Sequence, residues 1–121
     1  MKNKTLLILN GPGLADLSAG GDRYGGVTLE QIQEESAALC AELGMDLEFR
    51  QTDDQDEMIR WIARDSDHFG ALIINPVGYL KAGSVDFDMY RSAIKMIAHL
   101  NKPVIEVRLT NIFPQRRRLQ D

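Results

Sequence analysis

Two uninterrupted aliphatic runs stand out along the chain, Leu6-Leu7-Ile8-Leu9 and Ala71-Leu72-Ile73-Ile74. Each stops at an asparagine followed by turn formers, Asn10-Gly11-Pro12-Gly13 in one case and Asn75-Pro76 in the other. Such runs predict strands with both faces covered, as in a parallel sheet, over Thr5–Leu9 and Ala71–Ile74. Between them, Asp46–Gln51 alternates Leu47 and Phe49 with Glu48 and Arg50, the pattern of a strand nearer a sheet edge. A fourth strand, Val104–Leu109, opens after Pro103.

The intervening segments carry helical periodicity. Thr28 followed by Gln31 spells a capping box. Leu29, Ile32, Ser36, Leu39 and Leu43 then predict one inward face, and Gly44 is placed for a left-handed stop. Asp54 and Glu57 repeat the start signature ahead of Met58, Trp61 and Ile62, in a helix that should fray near Asp67-His68. A third helix is expected from about Asp86 to Asn101, with Tyr90, Ala93, Ile97 and Leu100 turned inward. The order βαβαβαβ predicts an α/β domain with a parallel sheet and right-handed crossovers. Residues 1–121 read as a single domain with an irregular tail over 112–121. Ligands of such sheets bind beyond the carboxyl ends of the strands. Here those ends present Asn10, Asp53, Asn75 and Asn111.

Composition narrows the function classes. A net charge of −4 argues against a general nucleic-acid binder. The single cysteine, Cys40, falls in a helical pattern and reads as a small buried thiol. No apolar run reaches the ~18 residues of a membrane span, and the start is too short for a signal peptide, so the default expectation is a cytoplasmic protein without membrane or nucleic-acid partners. His, Cys and carboxylates show no metal-ligand spacing. His68 and His99 sit at helix ends, away from the strand termini.

The long segment after the first strand holds Arg23-Tyr24 among Gly20, Gly21, Gly25 and Gly26. A free tyrosine titrates near ~10 and is a poor base at neutral pH unless a cation favours the phenolate. Arg23 can supply that cation, and Tyr24 can equally be a tyrosine that pins a loop. The asparagines can converge on a ligand or serve turns. Arg116-Arg117-Arg118 fits a solvated end, an anion site or a subunit contact, and Asp53-Asp54-Gln55-Asp56-Glu57 fits a helix N-terminus.

Taken together, these strand ends resemble the type II 3-dehydroquinases (3-dehydroquinate dehydratases). The resemblance runs through Leu9-Asn10-Gly11-Pro12, Tyr24-Gly25-Gly26-Val27-Thr28-Leu29, Glu48-Phe49-Arg50-Gln51, Ile73-Ile74-Asn75-Pro76 with Gly78-Tyr79, and Pro103-Val104-Ile105-Glu106-Val107 with Leu109-Thr110-Asn111. It implies a flavodoxin-like α/β/α fold, a lyase of the shikimate pathway, no cofactor, and assembly into trimers or dodecamers. It also implies the chemistry: an arginine-activated tyrosinate takes a C2 proton, an enolate forms, and a histidine protonates the leaving hydroxyl. Position by position, the base is Tyr24. The substrate-binding positions are Asn10, Asn75, Lys81 and the amides of Leu109 and Thr110.

Several positions depart from the family pattern. Gly13 replaces the last asparagine of Asn-Gly-Pro-Asn. The activating arginine has no counterpart in a loop one residue shorter, leaving Arg23 as the substitute. Lys81 stands for a histidine, and Arg108 stands for the general-acid histidine. The family also continues through a further strand and helix, so the fold is expected to be shortened at its C-terminus. Two functions follow: weak or altered dehydration of 3-dehydroquinate or a related cyclic hydroxy acid, or an inactive homologue. The second binds an anionic ligand, or a partner subunit, through an electropositive pocket of Lys81, Arg108 and the arginine run.

Overall fold

The computed structural model describes residues 3–17 and 26–108, the side chains of residues 79 and 80 excepted. Four strands, β1 (Thr5–Asn10), β2 (Asp46–Gln51), β3 (Ala71–Asn75) and β4 (Val104–Glu106), form one sheet in the order β2-β1-β3-β4. Every pairing is parallel, and the register sets Asn10 beside both Gln51 and Asn75. This is the parallel α/β sheet that the βαβ pattern predicts, in the flavodoxin-like arrangement that the resemblance implies. Strand order reverses direction between β1 and β3, which places a crevice at their carboxyl ends.

Helix α1 (Leu29–Glu42) lies on one side of the sheet, and α2 (Gln55–Asp65) and α3 (Phe87–Met96) on the other. Right-handed crossovers require that division, because β1 to β2 runs one way across the sheet and the later connections run back. The main core lies under α2 and α3. Leu7, Leu9, Leu72 and Ile74 from the strands meet Met58, Ile62, Tyr90, Ala93 and Ile97 from the helices. Each fully buried aliphatic contributes ~1.5–3 kcal/mol relative to exposure, so this layer carries most of the fold's stability.

Local signals explain where the elements begin and end. Thr28 Oγ1 accepts from Gln31 N and Gln31 Oε1 accepts from Thr28 N, a complete capping box. Gly44 closes α1 at φ +71°. Asp54 caps α2 through Asp56 N at 2.9 Å, with no reciprocal bond from Glu57 among the described residues. The third helix is shorter than its periodicity suggests. It passes into a 3₁₀ turn, Ala98–Leu100, and stops at Asn101 in the left-handed region (φ 54°). Strand β4 has three residues, extended by a bond from Val107 N to Ile74 O.

The inward face of α1 also differs from expectation. Leu39 and Leu43 are 55% and 64% exposed, whereas Cys40 is buried. The half-buried Ile32 and Ser36 lead at a spacing of four to the buried Cys40, so the inward face follows that row instead of Leu39 and Leu43.

Edge strand β2 is fastened by an ion cluster. Asp65, almost fully buried, accepts from Arg50 Nη1 at 2.7 Å and from Arg64 Nε at 2.8 Å. The Arg50 guanidinium sits over both Trp61 and Phe69, 5.4 and 5.5 Å from their ring centres. The hydrogen bond from Arg64, with that from Arg50 and both cationic fields, outweighs burial and holds the Asp65 carboxyl well below the usual range. A depressed carboxyl stabilises the fold above the unfolded value of ~3.9 and loses that contribution as pH falls toward the folded value. Asp65→Asn should therefore cost ~1–3 kcal/mol at neutral pH. It should also flatten the acid limb of a stability profile measured by urea denaturation between neutral pH and pH ~3.

Candidate functional site

The ends of β1 and β3 approach more closely than side chains would allow. A Cβ on Gly11 would collide with the carbonyl oxygen of Pro76, so only glycine permits this contact. Gly11 N donates to Asn75 O at 2.9 Å, and Gly78 N donates to Pro12 O at 2.8 Å. The two strand-end turns are thus joined backbone to backbone. Gly13 follows at φ +85°, a left-handed conformation that favours glycine, and the stem of Lys81 occupies the space a Cβ there would need. Gly13 and the Lys81 stem are therefore packed against one another.

A carboxylate from β2 organises the first turn. Asp53 Oδ1 accepts from Gly13 N at 3.1 Å and from Gln51 Nε2 at 3.0 Å. The same Gln51 amide reaches Gly11 O at 3.3 Å. Beside this hub lies a crevice of about 450 Å³ lined by Pro12, Gly13, Ala15, Asp16, Asp53, Gln55, Lys81 and Ser84. It sits at the switch point between β1 and β3. Among the described residues its titratable lining is two carboxylates and one ammonium, that of Lys81.

Asn10 is buried, and its Nδ2 donates to Arg50 O at 2.9 Å, tying β1 to β2. Asn75 lies beside it in register. Its side chain is different: at 9% exposure, Asn75 Oδ1 has no hydrogen-bond partner among the described residues. An unmet buried acceptor costs ~1–3 kcal/mol, a cost that a ligand donor would relieve.

Arg108 is not among the described residues that line this crevice. Its Nη2 and Nε reach Glu106 Oε1 at 3.1 and 3.3 Å, and its guanidinium lies 4.2 Å from the centre of the Phe87 ring. Arg23, Tyr24, Leu109, Thr110, Asn111 and the run Arg116–Arg118 lie outside the described residues. His68 and His99 are exposed at helix ends, as their positions suggest. Among the described residues no group of three or more His, Cys, Asp or Glu could hold a metal ion, and no helix is long and apolar enough to cross a membrane.

Three participants are hidden in the sequence. Asp53 looks like helix N-terminal charge, and Gln51 like the last residue of an edge strand. Tyr90 looks like one more core position of α3, yet its hydroxyl donates to Pro76 O at 3.1 Å at the strand end, and burial pushes the phenol above its ordinary range. Only the polar atom on an otherwise apolar stripe signals this.

Comparisons with known proteins agree with this geometry. The family model for class II dehydroquinase matches residues 4–120. The chain is 37% identical over 113 residues to a 3-dehydroquinate dehydratase of Mesorhizobium japonicum, covering 90% of this chain and 72% of that protein. It is 31% identical over 110 residues to 3-dehydroquinate dehydratase 2 of Pseudomonas aeruginosa, covering 90% of this chain and 70% of that one. Among solved structures, a type II dehydroquinase from Butyrivibrio crossotus superposes with a TM-score of 0.73 at 21% identity, over 88% of this chain and 70% of that one. With strand order, strand-end turns and family model in agreement, the chain belongs to the class II dehydroquinase family.

Proposed function

We propose that this protein holds 3-dehydroquinate, or a related cyclic hydroxy acid, at the carboxyl ends of β1, β3 and β4 and dehydrates it only weakly. Tyr24 acts as the base with Arg23 beside it. Asn10, Asn75, Lys81 and the amides of Leu109 and Thr110 form the binding surroundings. The reading of a bound ligand is supported by the unpartnered, buried Asn75 Oδ1.

The observation that carries the weak turnover is the placement of Arg108. Elimination needs a proton for the departing hydroxyl, and a guanidinium holds its protons to above pH ~12. Here it is also engaged by Glu106 and stacked on Phe87. The Lys81 ammonium, or a water, is left to protonate the leaving oxygen. Lys81 lines the crevice without an ion pair among the described residues, which supports that role.

Loss of a general acid typically costs ~10²–10⁴-fold. Enone absorbance should therefore report a kcat/KM for 3-dehydroquinate lower by ~10²–10⁴-fold than that of the Mesorhizobium japonicum relative assayed alongside. Tyr24→Phe should abolish the remaining turnover. Turnover equal to the relative's would overturn the proposal. Saturable binding with no enone would reduce the protein to a binding homologue, and absence of binding would overturn both readings.

Association of copies belongs to the same reading. The family resemblance implies trimers or dodecamers, and the exposure of Ile105 on edge strand β4 and of Met89 and Met96 on α3 supports subunit contacts there. Light scattering should give a trimer mass or a multiple of it, and a monodisperse monomer would contradict this.

A further inference from the structure

Every described side chain in the main core is apolar except one. Tyr90 is fully buried among residues such as Leu9, Ile74 and Ile97. A phenylalanine would fill the same space, so packing alone does not account for the hydroxyl. That hydroxyl has one partner, the carbonyl of Pro76, at 3.1 Å.

The preceding carbonyl, that of Asn75, accepts from Gly11 N at 2.9 Å. Two successive carbonyls are thus anchored from different elements, one by the β1 turn and one by α3. With both bonded, and with the proline ring restricting the bond between them, the peptide planes on either side of Pro76 cannot turn unless a bond breaks. The backbone so fixed is the one that carries the Asn75 side chain, with its buried and unpartnered Oδ1. Gly11 lies against this corner as well, since a Cβ there would come within 3.3 Å of the Tyr90 hydroxyl.

We propose that Tyr90 is a positioning residue, whose hydroxyl holds the Asn75–Pro76 corner so that the Asn75 amide meets a hydroxyl of the bound cyclic acid. The inference rests on the reading of Asn75 as a ligand contact. Its structural half, that the Tyr90 hydroxyl sets the orientation of Asn75, stands apart from any ligand.

The test compares Tyr90→Phe with Ile97→Val, a substitution in the same core layer that touches neither strand end. Both should fold and lose a few degrees of melting temperature. In Tyr90→Phe the side-chain amide signals of Asn75 in a ¹⁵N–¹H spectrum should shift or broaden. Binding of 3-dehydroquinate should weaken about threefold to tenfold, the effect of one misplaced hydrogen bond. In Ile97→Val both should match wild type. Unchanged Asn75 signals in Tyr90→Phe, or equal changes in both variants, would overturn the positioning role. If wild type binds no 3-dehydroquinate, the ligand reading fails, and the comparison of Asn75 signals still decides the role of Tyr90.

Discussion

The approach of Gly11 onto the Pro76 carbonyl is the constraint on which the site depends. It brings the ends of two central strands within backbone hydrogen-bonding distance and sets Asn10 beside Asn75. Other features brace this contact. Asp53 and Gln51 hold the first turn from β2, Tyr90 holds the second from α3, and Gly78 closes the pair through Pro12. A side chain at Gly11 would push these strand ends apart.

Charge is arranged for structure more than for a strongly cationic pocket. Arg50 and Arg108 follow one scheme, a guanidinium laid on an aromatic ring and bonded to a carboxylate. Arg50 fastens an edge strand, and Arg108 fastens the end of β4 to the start of α3. The crevice at the switch point keeps Lys81 with Asp16 and Asp53. A dehydroquinase-family fold thus carries at position 108 a guanidinium bonded to Glu106 and laid on Phe87. The absence of a side chain at Gly13 gives room to the stem of Lys81, which a Cβ there would meet.

Much of the architecture is legible in the sequence because it is written in local, short-range patterns. Aliphatic runs that stop at asparagine mark β1 and β3, alternation marks β2 as an edge strand, and Thr28 with Gln31 marks the start of α1. The family resemblance is legible at the same strand ends. What local pattern cannot convey is which residue, tens of positions away, a polar atom will meet. Asp53 is followed by acidic residues at a helix start, yet its oxygen serves Gly13. Tyr90 sits on an apolar stripe, yet its hydroxyl reaches Pro76. Arg108 follows β4, and its attachment to Phe87 depends on how α3 begins. The inward face of α1 is a subtler case, since Leu39 and Cys40 are neighbours and the periodicity of the helix alone does not choose between them.

The central claim is that the outline of the reaction survives without its proton donor, and isotope exchange tests it most directly. With the protein and 3-dehydroquinate in deuterated water, removal and return of the C2 proton can be followed by NMR beside enone formation. The account predicts deuterium entering C2 faster than enone appears, because the enolate forms and is reprotonated before the hydroxyl can leave. Enone formation that keeps pace with exchange, or a complete lack of exchange, would contradict it.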